Sequence, residues 1–297
     1  MKKLLSSCVL LAALCAVARP VTMMTYNVQI GAGLNDPYNF PKGSLGHLPQ
    51  VAAHIRKVNP DWVAIQEIDC NVGRSGFVDQ TQELAKMCGM KGTFFPKVLR
   101  FPKRFVDPNK ATDEEYASGS AFGLALLSKE EPLCVRKVIV PGYYHPRCIA
   151  FAEFKDYVVA CTHFPLKEEH AMIAARVALM NVADYHKPVF LAGDFNFEVG
   201  SKPIAKLQEG MTILSDTSIN TYPPPKPVKC IDFIMVDNPH TNRVTVTDRR
   251  VINDADASDH CAVVVRAEFV GTYPCTAMPA SICPVKMQAN SNRPLCQ

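Results

Sequence analysis

The sequence has little net charge, no C-x-x-C pair, no internal repeat and no apolar run long enough to span a bilayer. Each absence narrows the reading. Its 297 residues hold 32 lysines and arginines against 28 aspartates and glutamates, a formal net charge of +4. The strongly basic balance that marks many nucleic-acid binders is missing, so charge leaves the substrate class open. Without C-x-x-C spacing the 12 cysteines offer no frame for a structural zinc site. No linker or low-complexity block divides the chain, and with 48% hydrophobic residues it can bury one large core. One domain is expected.

The two ends stand apart. Lys2-Lys3 precede the apolar run Val9 to Val17, which closes with Ala16-Val17-Ala18, so residues 1–18 read as a secretory signal peptide with an A-x-A cleavage site. The run is short of the roughly 20 residues that a membrane span requires. Leu5-Ser6-Ser7-Cys8 imitates a lipobox, but almost no apolar sequence precedes it. Cleavage after Ala18 removes two lysines and no acid, taking the charge from +4 to +2. A soluble secreted or periplasmic protein is expected. Cys8 and Cys15 leave with the leader, and the remaining even set permits disulfides in an oxidising compartment. Residues 272–297 form a Cys/Pro-rich tail in which Cys275, Cys283 and Cys296 point to at least one disulfide. Cys161 and Cys261, inside apolar runs, read instead as small buried residues.

Between them, residues 19–271 alternate strand and helix patterns. Pro20 to Gln29 reads as a buried strand that reaches Asn27 near its end, Leu48 to Val58 as a helix stopped by Asn59-Pro60, and Trp62 to Ile68 as a second strand with Glu67 at its end. If the two strands pair in parallel across the helix, Asn27 and Glu67 come side by side. A carboxylate ending an apolar run needs a partner, and a metal or a basic side chain would serve equally well. Val78 to Met87 reads as an amphipathic helix, and the polar, Lys/Arg-rich segment Lys91 to Tyr116 as a long surface loop. Short strands follow at Ala121 to Leu127, Val135 to Val140, Cys148 to Phe154 and Val158 to Thr162, spaced as an antiparallel stretch. Arg147 precedes the third of these and His163 ends the fourth. In the helix pattern His170 to Tyr185, Ile173, Ala174, Val177 and Met180 share one face.

The central signal is Leu191 to Phe197, where an apolar strand turns at Gly193 and delivers Asp194 and Asn196, two residues apart, to the mouth of a sheet. Alone this could be a simple Asx turn. As a site, Asp194 can bind a hard cation or orient a water, and Asn196 can donate to an anionic oxygen without adding charge. Asp232 interrupts the apolar strand Lys229 to Val236, and Asp259-His260 stands directly ahead of the strand that starts at Cys261.

Taken in order, Thr25-Tyr26-Asn27-Val28, Gln66-Glu67-Ile68, Thr162-His163, Gly193-Asp194-Phe195-Asn196, Ile231-Asp232-Phe233-Ile234 and Ser258-Asp259-His260 resemble the successive motifs of the endonuclease/exonuclease/phosphatase superfamily, the deoxyribonuclease-I-like fold. The resemblance covers roughly residues 20–270. It implies an α/β (α+β) fold, a four-layer sandwich of two mixed β-sheets flanked by helices, with a Mg2+ site at one edge that Mn2+ could also fill. It places Asn27, Glu67 and Asp259 at the metal, with Glu67 the main ligand. It makes Asp194 and Asn196 the residues that position the attacking water and a phosphate oxygen, sets His260 with Asp232 at the phosphate or in proton transfer, and makes His163 a catalytic histidine. Arg147 matches the family arginine loosely as a substrate contact, and Phe122-Gly123 stands where many relatives carry Tyr-Gly or Gly-Asn. The implied activity is hydrolysis of phosphodiester bonds, with nucleic acid ahead of phospholipid as substrate; a sphingomyelinase-like enzyme or a phosphomonoesterase is the alternative. No insert for membrane docking and no inositol-phosphatase signature stands out. No stable protein partner is implied, and a monomer is expected.

Overall fold

Apolar runs that close on a polar residue form the central strands, because only a sheet covered on both faces hides such runs completely. The structure, a computed structural model, describes residues 17–34, 40–99, 119–142 and 145–271. The chain opens with β1 (Val17–Asn27), α1 (Leu48–Val58) and β2 (Trp62–Cys70). β1 and β2 pair in parallel with Asn27 opposite Gln66, as the strand-helix-strand reading expects. α1 carries proline in its first turn and ends at Asn59 in the left-handed region, ahead of Pro60. Next come α2 (Gln80–Cys88), capped by the Asp79 side chain accepting from the Gln82 amide at 3.1 Å, then β3 (Lys91–Leu99) and β4 (Ala121–Ser128). A second run follows: β5 (Cys134–Val140), β6 (Arg147–Glu153), β7 (Val158–His163), α3 (Glu168–Val182) and β8 (Val189–Asp194). α4 (Lys202–Gln208), β9 (Met211–Ile213), β10 (Asp232–Asp237), β11 (Val244–Ile252) and β12 (Ala262–Gly271) complete it.

The strands form two six-stranded sheets, β11-β12-β1-β2-β4-β3 and β5-β6-β7-β8-β10-β9. Each has one parallel pair, β1/β2 and β7/β8, among antiparallel neighbours. Between the sheets Met23, Trp62 and Val265 meet Phe190, Ala192 and Ile234. Full burial of each large side chain here contributes about 1.5–3 kcal/mol. Outside, α1 packs Leu48, Val51 and Ile55 onto the first sheet. α3 and α4 cover the second sheet with Ala171, Ala174, Ala178 and Ile204. The result is the expected sandwich of two mixed sheets between helical layers.

Three sequence expectations are corrected. Lys91 to Leu99 is not loop but the edge strand β3, paired to β4, with a register slip between Pro96 and Val98 that accommodates the proline; the rest of that expected loop, 100–116, lies outside the described residues. β4 does not join an antiparallel run with β5 to β7 but pairs with β2 and β3 in the other sheet. α3 presents its alanines to the sheet and leaves Ile173 and Met180 exposed. Small side chains let the helix lie close to the strands, and that close approach outweighs burial of the two larger residues. Cys161 and Cys261 are buried, as expected. Residues 1–16 of the expected leader and the tail cysteines Cys275, Cys283 and Cys296 lie outside the described residues. No helix among the described residues is long and apolar enough to cross a membrane.

Candidate active site

Both parallel pairs point their carboxyl ends to one edge of the sandwich. β1 brings Asn27 there, β7 brings His163 and β8 brings Asp194, while β10 starts at Asp232 and β12 is preceded by Asp259 and His260. Glu67 arrives by a different device. The β2/β4 register slips between Gln66 and Ile68, and Glu67 is the extra residue, in the left-handed region at φ 53°. Such a conformation costs about 1–3 kcal/mol for a non-glycine residue; the ladder on either side sustains it, and the bulge turns the carboxylate out of the strand alternation. On β8, Gly193 is required by close approach, since a Cβ there would lie 2.0 Å from the Thr162 carbonyl oxygen.

The Asp194 carboxylate is the hub. Its Oδ2 accepts from Asn27 Nδ2 at 3.1 Å and lies 3.3 Å from His163 Nε2 and 3.7 Å from His260 Nε2. Its Oδ1 accepts from the Asn196 amide at 2.8 Å. The Asx turn and the functional cluster are therefore the same structure. Arg147 Nη1 sits 3.3 Å from His163 Nδ1. An arginine only donates, so Nδ1 accepts and the proton of His163 is on Nε2, directed at Asp194. Glu67 Oε1 is 3.9 Å from the same Nδ1. His260 Nδ1 donates to Asp232, at 3.0 Å to Oδ2 and 3.2 Å to Oδ1, leaving Nε2 toward the centre.

Electrostatics follow from this crowding. Burial raises the Asp194 carboxyl well above the usual range; His260 draws it back and Asp232 adds to the rise. For His260 burial acts downward, but Asp232, Asp194 and Asp259 outweigh it and favour the imidazolium. Asp259 is pushed up to about 6 by burial, with His260 opposing and the like charges of Glu67 and Asp232 adding to it. The repulsion between Glu67 and Asp259 is what a hard divalent cation would relieve, and a carboxylate-rich oxygen set suits one. Asp194, Asp232 and His260 also bring ligand atoms within 4.8 Å of one another, with His260 Nδ1 on Asp232 and Nε2 toward Asp194.

Every residue singled out in the sequence reaches this edge. Asn27 and Asn196 differ in detail from a free ligand and a free donor. The Asn27 amide is shared between Asp194 and the Gln29 backbone N–H, and one Asn196 N–H goes to the Phe164 carbonyl at 2.9 Å. Three residues were not assigned from sequence. Thr221 Oγ1 donates to Asp232 Oδ2 at 2.6 Å, the Tyr222 ring lies 4.6 Å from that of His260, and Ser258 Oγ donates to the Asn27 carbonyl at 2.6 Å. Thr221 and Tyr222 sit beside prolines in a stretch with no periodicity, and Ser258 lies within a quoted motif, where its hydroxyl could have been read as a tie.

No curated protein matches the chain. Among solved structures, the endonuclease/exonuclease/phosphatase of Beutenbergia cavernae DSM 12333 aligns with a TM-score of 0.62 at 20% identity, over 85% of this chain and 72% of its own. That of Bacteroides vulgatus aligns at 0.61 and 19%, over 84% and 99%. The mannosyl-6-phosphatase of Bacteroides thetaiotaomicron VPI-5482 aligns at 0.58 and 14%, over 84% and 100%. At these identities the likeness concerns the fold. The sequence itself matches the model of the Endonuclease/Exonuclease/phosphatase family over residues 24–260, from the strand that carries Asn27 to His260, and the chain belongs to that family of hydrolases.

Proposed function

We propose that this hydrolase is exported and cleaves phosphodiester bonds with a divalent metal, Mg2+ first and Mn2+ as a substitute, nucleic acid being the first substrate class. The observation that carries the reading is the convergence of Asn27, His163 and His260 on one oxygen of a buried carboxylate, Asp194, at the edge where Glu67 and Asp259 repel each other. Glu67 and Asp259, with Asn27, would hold the metal, which supplies charge neutralisation at the phosphate. A phosphodiester is an anion, so attack by water needs a positioned nucleophile, neutralised oxygens and a proton for the departing oxygen. Asp194 orients the water and accepts its proton, with Asn196 beside it. His260, held by Asp232, presents Nε2 to the developing charge. Arg147 faces the remaining phosphate oxygens, and His163, between Arg147 and Asp194, directs its Nε2 proton at the Asp194 carboxylate. Export rests on the leader pattern of residues 1–18.

DNA, sphingomyelin micelles and a phosphomonoester, each with and without Mg2+, test this directly. Cleavage of DNA that stops with chelator and returns with Mg2+ is expected. Hydrolysis confined to sphingomyelin or the monoester overturns the substrate assignment, and full activity after exhaustive chelation overturns the metal.

A further inference from the structure

We infer that Thr221 is a positioning residue for the hydrolytic reaction, setting through Asp232 which nitrogen His260 turns to the substrate; the inference rests on the role proposed above for His260. The argument is a count of protons. The Thr221 hydroxyl has one hydrogen and two lone pairs. Backbone N–H groups of Ile231 and Asp232 approach Oγ1 at 3.2 and 3.3 Å, and these groups can only donate. Both lone pairs are thereby engaged, and the single hydroxyl proton goes to the remaining neighbour, Asp232 Oδ2, at 2.6 Å. Asp232 Oδ2 is thus an acceptor, and the same carboxylate takes the His260 Nδ1 proton. With Nδ1 committed, Nε2 is the nitrogen that faces Asp194.

The backbone of Thr221 acts in the same sense. Its carbonyl accepts from the Cys261 amide at 2.7 Å, immediately after His260, and its own amide donates to the Lys229 carbonyl at 2.7 Å. One buried residue thereby touches Asp232 through its side chain and the His260 segment through its main chain. Asp232 begins β10 in the second sheet and His260 precedes β12 in the first, so Thr221 ties together the two halves of a pair that the sheets hold separately. A hydroxyl donating to a buried carboxylate is among the stronger hydrogen bonds, and its loss frees Asp232 to rotate away from Nδ1.

The test compares Thr221→Val, which keeps the shape and removes the hydroxyl, with Thr221→Ser, which keeps the hydroxyl. Each is measured on the substrate the wild-type enzyme hydrolyses, at temperatures below its own melting point. Thr221→Val is expected to lower kcat by about 10- to 100-fold with KM changed by less than about threefold, and Thr221→Ser to stay within about threefold of wild type. Added to Asp232→Asn, Thr221→Val is expected to cost nothing further, since residues acting as one unit are not additive. A merely structural threonine would lower the melting temperature and leave these ratios alone. A folded Thr221→Val enzyme with wild-type kcat, or one whose loss multiplies with that of Asp232→Asn, overturns the inference. If Thr221→Val does not fold, Thr221→Ala takes its place, and wild-type kcat there overturns it equally. His260→Ala run alongside separates the two claims: wild-type kcat in that variant overturns the proposed role of His260, whereas its loss beside an unaffected Thr221→Val overturns Thr221 alone.

Discussion

Gly193 is where the parallel pair of the second sheet is drawn together, and Gly193→Ala asks whether the site depends on that approach. A Cβ at Gly193 would lie 2.0 Å from the Thr162 carbonyl oxygen and 2.8 Å from its carbon, whereas ordinary contact begins at 3.4 Å. The strands would have to part by about 1.4 Å. Both groups are backbone, inside a ladder running from Val158 opposite Val189 to His163 opposite Asp194, and neither can swing aside as a side-chain tip could. The next pair along, His163 opposite Asp194, is the one proposed to carry the chemistry. Misplacing reacting groups by about 1 Å costs on the order of 100-fold in rate. Overpacking costs about 1–3 kcal/mol, which lowers the melting temperature of a domain this size by roughly 2–12 °C. Initial rates beside thermal melts read both effects. A Gly193→Ala protein that melts with the wild type and keeps its kcat refutes the reasoning.

Glu67→Gln is expected to weaken Mg2+ binding by tenfold or more, on the order of 1.4 kcal/mol or above, while the metal-free protein melts as before; calorimetric titration with Mg2+ checks it, and unchanged affinity would remove Glu67 from the metal. Asp194→Asn and His260→Ala should each lower kcat by roughly 1,000-fold or more with little change in KM, and the double variant should be little worse than the worse single one. His163→Ala should cost less than either, because its Nε2 proton serves Asp194 rather than the substrate; a loss equal to that of His260→Ala contradicts this order. Mass spectrometry of the exported protein should find a chain beginning at or near Arg19, and an intact leader in the exported fraction contradicts the export reading.

Strands with strong internal patterns were legible in the sequence, and elements defined by their neighbours were not. β1, β7 and β8 are apolar runs ending in Asn27, His163 and Asp194, which announces both the strand and its polar tip, whereas β2 runs on to Cys70, past the Glu67 at which the sequence suggests its end. β3 carries Lys91, Gly92 and Pro96 and lies at a sheet edge, where a proline at a bulge is tolerated; nothing local distinguishes it from loop. On α3 hydropathy favours burial of Ile173 and Met180, while the packing distance favours alanine. The bulge at Glu67 is a property of the β2/β4 register, which one strand's sequence does not express. Thr221 owes its role to Asp232 and Cys261, and it lies in a proline-rich stretch that carries no period to read.

The order of the strands also times the assembly of the site. The second sheet is one uninterrupted stretch of chain, β5 to β10, inserted between β4 and β11 of the first. Asn27 and Glu67 therefore leave the ribosome early, but β1 must wait for β12, whose Val263 pairs with Thr25. Until then one side of β1 is a bare edge. His260 stands directly before that last strand, so a nascent chain can hold Glu67, Asp194 and Asp232 and still lack the imidazole. A chain that ends before β12 therefore lacks the partner that covers the edge of β1.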